Sequence, residues 1–213
     1  MTTVNIDIDG VVYDFHKEMH EEIMATHTRV RGYIADDKGK YYPYLEHHAV
    51  RDSTPWEMWT RYGISQGTWN AIFRRGVEHG SLFSRGEPIH GAVDGLWTLY
   101  EEGVKVRLVT RRLVHSGLNA KILQQTAEWL DKWMVPYWTI TFVGKRDDKI
   151  GFVGDVAIDD SPTHYDELVK HNKFVFIFDQ PWNRHRTDAM RINDWDELLN
   201  TVLHLHEKIE MAN

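Results

Sequence analysis

The chain has 213 residues and a formal net charge of −7, and 42% of its residues are hydrophobic. That length and apolar fraction suffice for one large domain, or for a domain with an inserted subdomain, and they exclude a largely disordered chain. The acidic balance, without a long stripe of Lys and Arg, argues against nucleic acid or an anionic membrane as the main partner. The absence of cysteine excludes disulfides, thiolate metal sites and cysteine nucleophiles.

No apolar stretch approaches the roughly 18 residues that indicate a membrane-spanning helix. The chain enters a predicted strand almost at once, without the basic and then apolar pattern of a signal peptide. The sequence therefore predicts a soluble, intracellular (cytoplasmic) protein with no membrane partner and no stable nucleic-acid complex, and it leaves a homodimer open.

Residues 4–15 read VNIDIDGVVYDF and carry the strongest functional signal. An apolar run predicts a strand over about residues 3–9. Since alternate residues of a strand face the same side, Asp7 and Asp9 are expected to project together from its end. Gly10 permits a sharp turn and a close approach to a ligand. Two carboxylates followed by exposed amides can hold a divalent cation and a phosphate together, although a strand ending in a polar turn also explains this motif alone.

A polar, aromatic-rich and largely helical region follows, to about residue 86. Its predicted helices span residues 16–28, 55–62 and 65–75, with a predicted loop over 32–44. From Pro88 onwards, helices and strands alternate. The later helices are predicted over 91–102, 116–134, 163–171 and 194–208, and the later strands over 104–110, 138–143, 153–158 and 173–178. This alternation predicts a mostly parallel sheet with helices on both faces.

Polar residues cluster at the carboxyl ends of the predicted strands, the edge where parallel sheets bind ligands. They are Asp7 and Asp9 in the first strand, Thr110, Arg111 and Arg112 after the second, and Asp155, Asp159 and Asp160 around the fourth, with Lys145 and Lys149 in the loop before it. Each has an ordinary explanation as a cap, a turn or a solvated charge. Taken together, however, the carboxylates would repel one another at this edge. Two carboxylates roughly 4 Å apart repel by about 4 kcal/mol at an effective dielectric near 20, so a group of them requires a cation. Oxygen ligands without Cys or a His cluster suit a hard ion, with Mg²⁺ first.

Four segments carry a resemblance to a known family: DIDGVVYDF, LVTRR, the lysine before GDVAIDD, and the acidic pair that closes GDVAIDD. They resemble the four motifs of the haloacid dehalogenase superfamily of phosphohydrolases. Order and placement agree over nearly the whole chain. The resemblance implies an α/β fold with a Rossmann-like three-layer α/β/α core, a mostly parallel sheet and a small helical cap inserted after the first strand. The core would comprise residues 1–15 and 87–213, and the cap residues 16–86.

A finer resemblance is to the 5′(3′)-deoxyribonucleotidases of the cytosolic and mitochondrial type and their phage and bacterial relatives. Its features are DGVVYDF, the aromatic cap, EPIHGAVDGLWTL, the spacing DK-x₅-D-x₃-DD, and FDQPWN at residues 178–183. The sequence departs from the family at Arg111, where a small residue such as Ser usually follows the threonine of the second motif. A cation at this position would favour a second phosphate or a carboxylate on the substrate.

The superfamily resemblance implies a role for each motif residue. Asp7 would attack phosphorus and form an aspartyl-phosphate, and Asp9 would protonate the leaving alkoxide and then deprotonate the attacking water. Mg²⁺ would lie between the Asp7 carboxylate, the Asp9 carbonyl and Asp160, with Asp159 as the second candidate ligand. Thr110 and Lys149 would bind the phosphate, and Arg111, where the sequence departs from the family, is a further candidate for binding it.

The aromatic residues of the cap could stack on a base, at about 1–3 kcal/mol each, or form the cap's own core. Phe15 and Trp56 match family positions that contact the nucleoside. The implied function is Mg²⁺-dependent hydrolysis of a small-molecule phosphomonoester, first among them a (deoxy)nucleoside 5′-monophosphate. The alternatives are a sugar phosphate or another phosphometabolite, a polynucleotide 3′-phosphate, or a non-catalytic domain that keeps the metal and phosphate pocket.

Overall fold

The structure, a computed structural model, describes residues 1–26, 29–30, 33–35, 41–43, 58–79, 82–113, 117–144, 154–172 and 174–212. The helices are α1 (Phe15–Thr26), α2 (Met58–Arg61), α3 (Gln66–Glu78), α4 (Ala92–Glu101), α5 (Asn119–Lys132), α6 (Pro162–Leu168) and α7 (Trp195–Met211), with a 3₁₀ turn at Pro181–Asn183. The strands are β1 (Thr3–Ile6), β2 (Arg29–Val30), β3 (Tyr33–Ala35), β4 (Tyr41–Pro43), β5 (Lys105–Leu113), β6 (Thr139–Gly144), β7 (Val156–Asp159), β8 (Phe174–Phe178) and β9 (Arg191–Ile192). None of the helices in these ranges is long and apolar enough to cross a membrane.

Six strands form one parallel sheet in the order β6-β5-β1-β7-β8-β9, so β1 lies inside it. Ile6 of β1 is aligned with Leu108 of β5 on one side and with Ile158 of β7 on the other. These three side chains are fully or almost fully buried, as expected for parallel strands that are covered on both faces. The chain moves to one side of β1 through β5 and to the other through β7, which makes the carboxyl end of β1 a topological switch point. The predicted α/β fold with a parallel sheet is therefore confirmed.

Helices α4 and α7 pack closely because glycines face a tryptophan between them. A Cβ atom on Gly95 would lie 2.7 Å from Cε3 of Trp195, and one on Gly91 would lie 3.0 Å from its Cβ. The indole Nε1 of Trp195 donates to the carbonyl of Val11 at 2.7 Å. This contact fixes the start of α7 against the loop that follows β1.

The segment between β1 and α4 leaves and re-enters the core at neighbouring points. Tyr13 and Pro88 form an isolated antiparallel bridge, and the amide of Ile89 donates to the carbonyl of Val12 at 2.8 Å. The Tyr13 hydroxyl donates to the Leu82 carbonyl. Burial raises the pKa of Tyr13, which keeps this hydroxyl protonated. Adjacent ends are the geometry that an inserted cap requires, while the boundaries of the cap at residues 16 and 86 stay a prediction.

Two differences from the predicted elements concern the cap segment and β5. The predicted loop over 32–44 is wrong in part, because β3 and β4 pair within it as antiparallel strands, and β2 joins them in a small sheet. Their Tyr and Ile residues have high strand propensity, which the surrounding polar residues obscured. Strand β5 extends three residues beyond Thr110, with a register shift against β6 after that residue. Arg111 and Arg112 therefore belong to the strand and not to the loop after it.

Candidate active site

The loop after β1 forms the floor of the candidate site. The amide of Asp7 donates to the Ile158 carbonyl at 3.0 Å, so the pairing with β7 continues one residue beyond β1. The Asp7 side chain is buried, and its Oδ1 accepts from the amide of Ile8 at 2.7 Å. Gly10 has φ +77°, and its amide donates to the Tyr13 carbonyl at 2.9 Å, which closes a tight turn. The predicted turn at Gly10 is thus present in the structure.

The carboxylate of Asp9 is held by two residues of β5. Arg112 donates from Nε to Oδ2 at 2.9 Å and from Nη2 to Oδ1 at 2.7 Å. The Thr110 hydroxyl is directed at Asp9 Oδ2 at 3.4 Å. Thr110 and Arg112 are two positions apart on one strand and share a face. That alternation was a signal for Arg112 in the sequence, although it did not reveal the partner.

Asp159 lies close to Asp7 and to a histidine that the sequence analysis did not single out. Ligand atoms of Asp7, Asp159 and His164 all lie within 4.8 Å of one another. Asp159 Oδ1 accepts from the amide of Ser161 at 2.9 Å and lies 3.1 Å from His164 Nδ1. His164 Nε2 lies 3.3 Å from Nη1 of Arg111. Because a guanidinium can only donate, this arrangement places the ring proton of His164 on Nδ1, directed at Asp159.

His164 reaches this position through the start of α6. Ser161 is the N-cap residue, and its hydroxyl accepts from the amide of His164 at 3.4 Å. The Ser-Pro pair predicts such a start, because proline suits the first helical position and serine the cap. A cap also fixes which residue of the first turn faces back towards the preceding strand end. That local rule is the signal that could have identified His164.

The Asp160 side chain lies against the turn at Gly10. A Cβ atom on Gly10 would lie 2.2 Å from Asp160 Oδ2, so only glycine leaves room for this carboxylate. Trp182 Nε1 donates to Asp160 Oδ2 at 3.0 Å, and Asn183 Nδ2 donates to the Asp160 carbonyl at 2.8 Å. Gln180 Nε2 donates to the Gly10 carbonyl at 2.7 Å. The FDQPWN segment thus supports both the turn and the acidic pair, a role that the sequence alone did not assign.

The donor set fits a hard divalent cation in two ways. Asp7 and Asp159 are buried carboxylates with ligand atoms near each other, and buried charges require a partner of opposite sign. Asp160 instead packs against Gly10, directly after Asp9, whose carbonyl is a predicted ligand. Carboxylate and carbonyl oxygens are the ligands that Mg²⁺ prefers. Each of the two aspartates also has a protein partner, since Asp159 Oδ1 accepts from Ser161 and adjoins His164, and Asp160 Oδ2 accepts from Trp182, so both are candidate ligands.

Four of the remaining predicted residues do not help to define the site. Lys149 and Trp56, together with Lys145, lie outside the described residues, and their roles stay predictions. Phe15 begins α1, and its ring stacks on that of Phe83 with centroids 5.8 Å apart. Phe15 therefore packs within the aromatic core of the segment, and its contact with a nucleoside stays a prediction.

Asp155 lies away from the candidate site. Its Oδ2 accepts from the amide of Thr3 at 2.9 Å. Thr3 begins β1, so this contact is at the amino ends of the central strands, opposite the carboxyl ends where Asp7 and Asp159 lie. The grouping of Asp155 with the strand-end carboxylates in the sequence is therefore wrong.

We expect Gly10→Ala to lower both stability and activity more than a matched glycine substitution elsewhere. A left-handed conformation costs an L-residue about 1–2 kcal/mol, and at Gly10 the new methyl group would also displace Asp160. Gly103 has φ +77° as well, but a Cβ atom added there would meet nothing within 4 Å beyond its chain neighbours. Gly103→Ala should therefore show the conformational cost alone. Denaturant unfolding and activity assays on both variants check this, and equal losses would contradict a role for Gly10 in holding Asp160.

The fold is that of the haloacid dehalogenase-type hydrolases. A superfamily hydrolase from Ehrlichia chaffeensis has a TM-score of 0.51 at 13% identity, covering 95% of this chain and 96% of that chain. A predicted phosphatase from Clostridium acetobutylicum has a TM-score of 0.60 at 12% identity, covering 95% and 98%. At these identities the similarity concerns the fold alone.

The sequence profile of the family described as "5′ nucleotidase, deoxy (Pyrimidine), cytosolic type C protein" matches residues 1–208, and the chain belongs to this family. A protein of Chlorobaculum tepidum, provisionally assigned as a 5′(3′)-deoxyribonucleotidase, is 28% identical over 200 residues, covering 93% of this chain and 89% of that protein. A provisionally assigned nucleotidase of Oceanobacillus iheyensis is 32% identical over 123 residues, covering 54% of this chain and 62% of that protein. The predicted family is confirmed, and with it a phosphatase of the 5′-nucleotidase class.

Proposed function

We propose that this phosphatase is Mg²⁺-dependent, forms an aspartyl-phosphate on Asp7, and acts on (deoxy)nucleoside 5′-monophosphates. The observation that carries the proposal is the meeting of Asp7 and Asp159 with His164 at the switch point of a parallel sheet, with Asp160 against the loop that follows Asp9. Such a switch point is where open α/β sheets bind ligands. Membership of the nucleotidase family supports the choice of substrate class.

Asp7 and Asp9 divide the chemistry between a nucleophile and an acid–base group. Asp7 is buried, with Oδ1 anchored by the Ile8 amide, which fixes the direction of attack. The Asp9 side chain is 26% exposed, so it can reach the oxygen of a leaving alcohol and later a water molecule. Asp9 protonates the departing alkoxide and then removes a proton from the water that cleaves the intermediate.

The metal and the cationic side chains compensate the charge of the substrate. Asp7, the Asp9 carbonyl and Asp160 would hold Mg²⁺, which lowers the repulsion between an anionic nucleophile and an anionic phosphate. Thr110 and Arg111 at the end of β5, with Lys149, would bind phosphate oxygens. Small phosphomonoesters are then the natural partners of this site.

A second candidate substrate class is favoured by Arg111. Its guanidinium lies beside His164 at the carboxyl end of β5, where the resemblance to the nucleotidases predicts a small residue. A cation there suits a small phosphometabolite that carries a second phosphate or a carboxylate. Such a substrate would use the same Asp7 and Asp9 chemistry.

We expect kcat/KM, measured with Mg²⁺, to be higher for nucleoside 5′-monophosphates than for sugar phosphates or for metabolites that carry a second phosphate or a carboxylate. Loss of a stacked base, worth about 1–3 kcal/mol, corresponds to roughly 5- to 150-fold in kcat/KM. Trp56→Ala should therefore lower nucleotide hydrolysis by about this factor and leave p-nitrophenyl phosphate nearly unaffected, since that ester has no base.

Trp97→Ala is the matched control, because this tryptophan is exposed on α4 and packs against Tyr100. It should leave both substrates unchanged. The nucleotide assignment would be ruled out if the wild type preferred metabolites with a second phosphate or a carboxylate. Equal losses on both substrates in Trp56→Ala would rule it out as well.

A further inference from the structure

We infer that Arg112 is a positioning residue that holds the carboxylate of Asp9 in the orientation needed to protonate the leaving group. The inference rests on the proposed acid role of Asp9. It adds a residue that the sequence motifs did not assign, and it connects the catalytic loop to the aromatic core of the cap segment.

The contact between Arg112 and Asp9 fixes the orientation of the carboxylate as well as its position. Nε donates to Oδ2 at 2.9 Å and Nη2 donates to Oδ1 at 2.7 Å. Two parallel donors matched to two carboxylate oxygens define the plane of the carboxylate, which a single ammonium group cannot do. The Asp9 side chain is 26% exposed, so without this contact it would be free to rotate towards solvent.

Arg112 is itself held from several sides. Its side chain is 1% exposed, and Nη1 donates to the Thr126 hydroxyl on α5 at 2.8 Å. Thr126 in turn donates to the Ile122 carbonyl at 2.7 Å. The guanidinium carbon lies 4.4 Å from the ring centroid of Phe83 and 5.0 Å from that of Tyr13. A group packed this firmly can hold Asp9 in place.

The aromatic contacts connect Asp9 with the cap segment. Phe83 stacks on Phe15, the predicted nucleoside contact, and packs edge-on against Phe73 of α3 with centroids 5.8 Å apart in both cases. Arg112 therefore connects the packing of Phe83 with the acid–base group. A displacement of about 1 Å at a catalytic group can cost about 100-fold in rate.

A purely structural role for Arg112 makes a different prediction. Breaking a buried ion pair leaves an uncompensated charge and destabilises the fold, and that loss would affect all substrates alike. A positioning role affects the step in which Asp9 donates its proton, so the size of the rate loss depends on the leaving group. A poor leaving group needs the proton, and a good one scarcely does.

The test is the dependence of kcat/KM on the leaving-group pKa across a series of substituted phenyl phosphates, which share their size and lack a base. This parameter reports only the steps up to release of the phenol, so the later action of Asp9 on water does not contribute. Arg112→Met should lose about 100-fold with the poorest leaving group and less than about 10-fold with p-nitrophenyl phosphate. Asp9→Asn should show the same pattern with a larger amplitude, as the reference.

Two milder variants and one control complete the test. Arg112→Lys keeps the charge but not the paired donors, and Thr126→Val removes the hydroxyl that accepts from Nη1. In both variants kcat/KM should depend more steeply on the leaving-group pKa than in the wild type, with smaller losses than in Arg112→Met. These two variants carry the test if Arg112→Met does not fold. Arg107→Met removes a guanidinium from the same strand, where it lies over the Trp138 ring, and should leave the series unchanged.

The outcomes separate this inference from the proposed function. If the wild type hydrolyses the esters and the Arg112 variants lose equally across the series, Arg112 only supports the fold and the inference is wrong. Unchanged activity in the Arg112 variants would also contradict the inference. If the wild type hydrolyses none of the esters with Mg²⁺ present, both the proposed function and the inference fail.

Discussion

Asp7→Asn is expected to lower turnover of every phosphomonoester by at least about 10⁴-fold, to near background, while the protein stays folded. The asparagine side chain has nearly the same size, and its carbonyl oxygen can still accept from the Ile8 amide, as Asp7 Oδ1 does at 2.7 Å. It lacks the negative charge and the nucleophilic oxygen that attack phosphorus. No aspartyl-phosphate can then form at this position.

The measurement is kcat with p-nitrophenyl phosphate and with a nucleoside 5′-monophosphate, together with mass spectrometry of acid-quenched enzyme for the phosphorylated peptide. Asp155→Asn is the control, since Asp155 accepts from the Thr3 amide at the opposite end of the sheet. That variant should lose stability but keep its turnover. Turnover near the wild-type level in Asp7→Asn would exclude Asp7 as the nucleophile.

The second large effect is expected on removal of the divalent cation. EDTA should abolish hydrolysis, and Mg²⁺ should restore it, because the carboxylates at this edge then face the substrate phosphate without compensation. Asp160→Asn should raise the Mg²⁺ concentration for half-maximal activity by at least about 100-fold. Asp159→Asn should raise it by about 10-fold, as expected for a residue that supports the site from outside the direct ligands.

The comparison of the two aspartates decides between two arrangements. Asp160 packs against Gly10 beside a predicted carbonyl ligand, whereas Asp159 has ligand atoms near Asp7 and His164. The substrate KM at saturating Mg²⁺ should change little in Asp160→Asn, which separates metal binding from substrate binding. A larger metal effect in Asp159→Asn would transfer the ligand role to that residue, and activity that survives EDTA would contradict metal dependence itself.

Much of the catalytic edge was predictable because its signals are local. The apolar run before Asp7 and the glycine after Asp9 specify a strand and a turn without knowledge of the rest of the chain. Ser65 caps α3, as the start of the predicted helix at Ser65 implies. The carboxyl ends of parallel strands share one edge, so the grouping of Asp7, Thr110 and Asp159 followed from the order of the elements.

The partners of these residues were not predictable from the sequence. Arg112 and Asp9 are 103 positions apart, and Trp182 is 22 positions from Asp160. Sequence alternation places Arg112 on the face of Thr110 but does not indicate which neighbouring strand, or which carboxylate, that face meets. His164 is a different case, because it lies only five positions from Asp159 and the Ser-Pro start of α6 offered a local signal for it.

The sequence by itself determined the strand-end carboxylates, the alternation of helices and strands, and the family, because these depend on short-range periodicity and on motif order. The tertiary structure alone decided that Arg112 pairs with Asp9, that Asp160 packs against Gly10, and that Phe15 packs on Phe83. The physical reason is that each of these contacts joins residues on separate elements. Their meeting depends on strand order, register and close packing, which involve the whole chain at once.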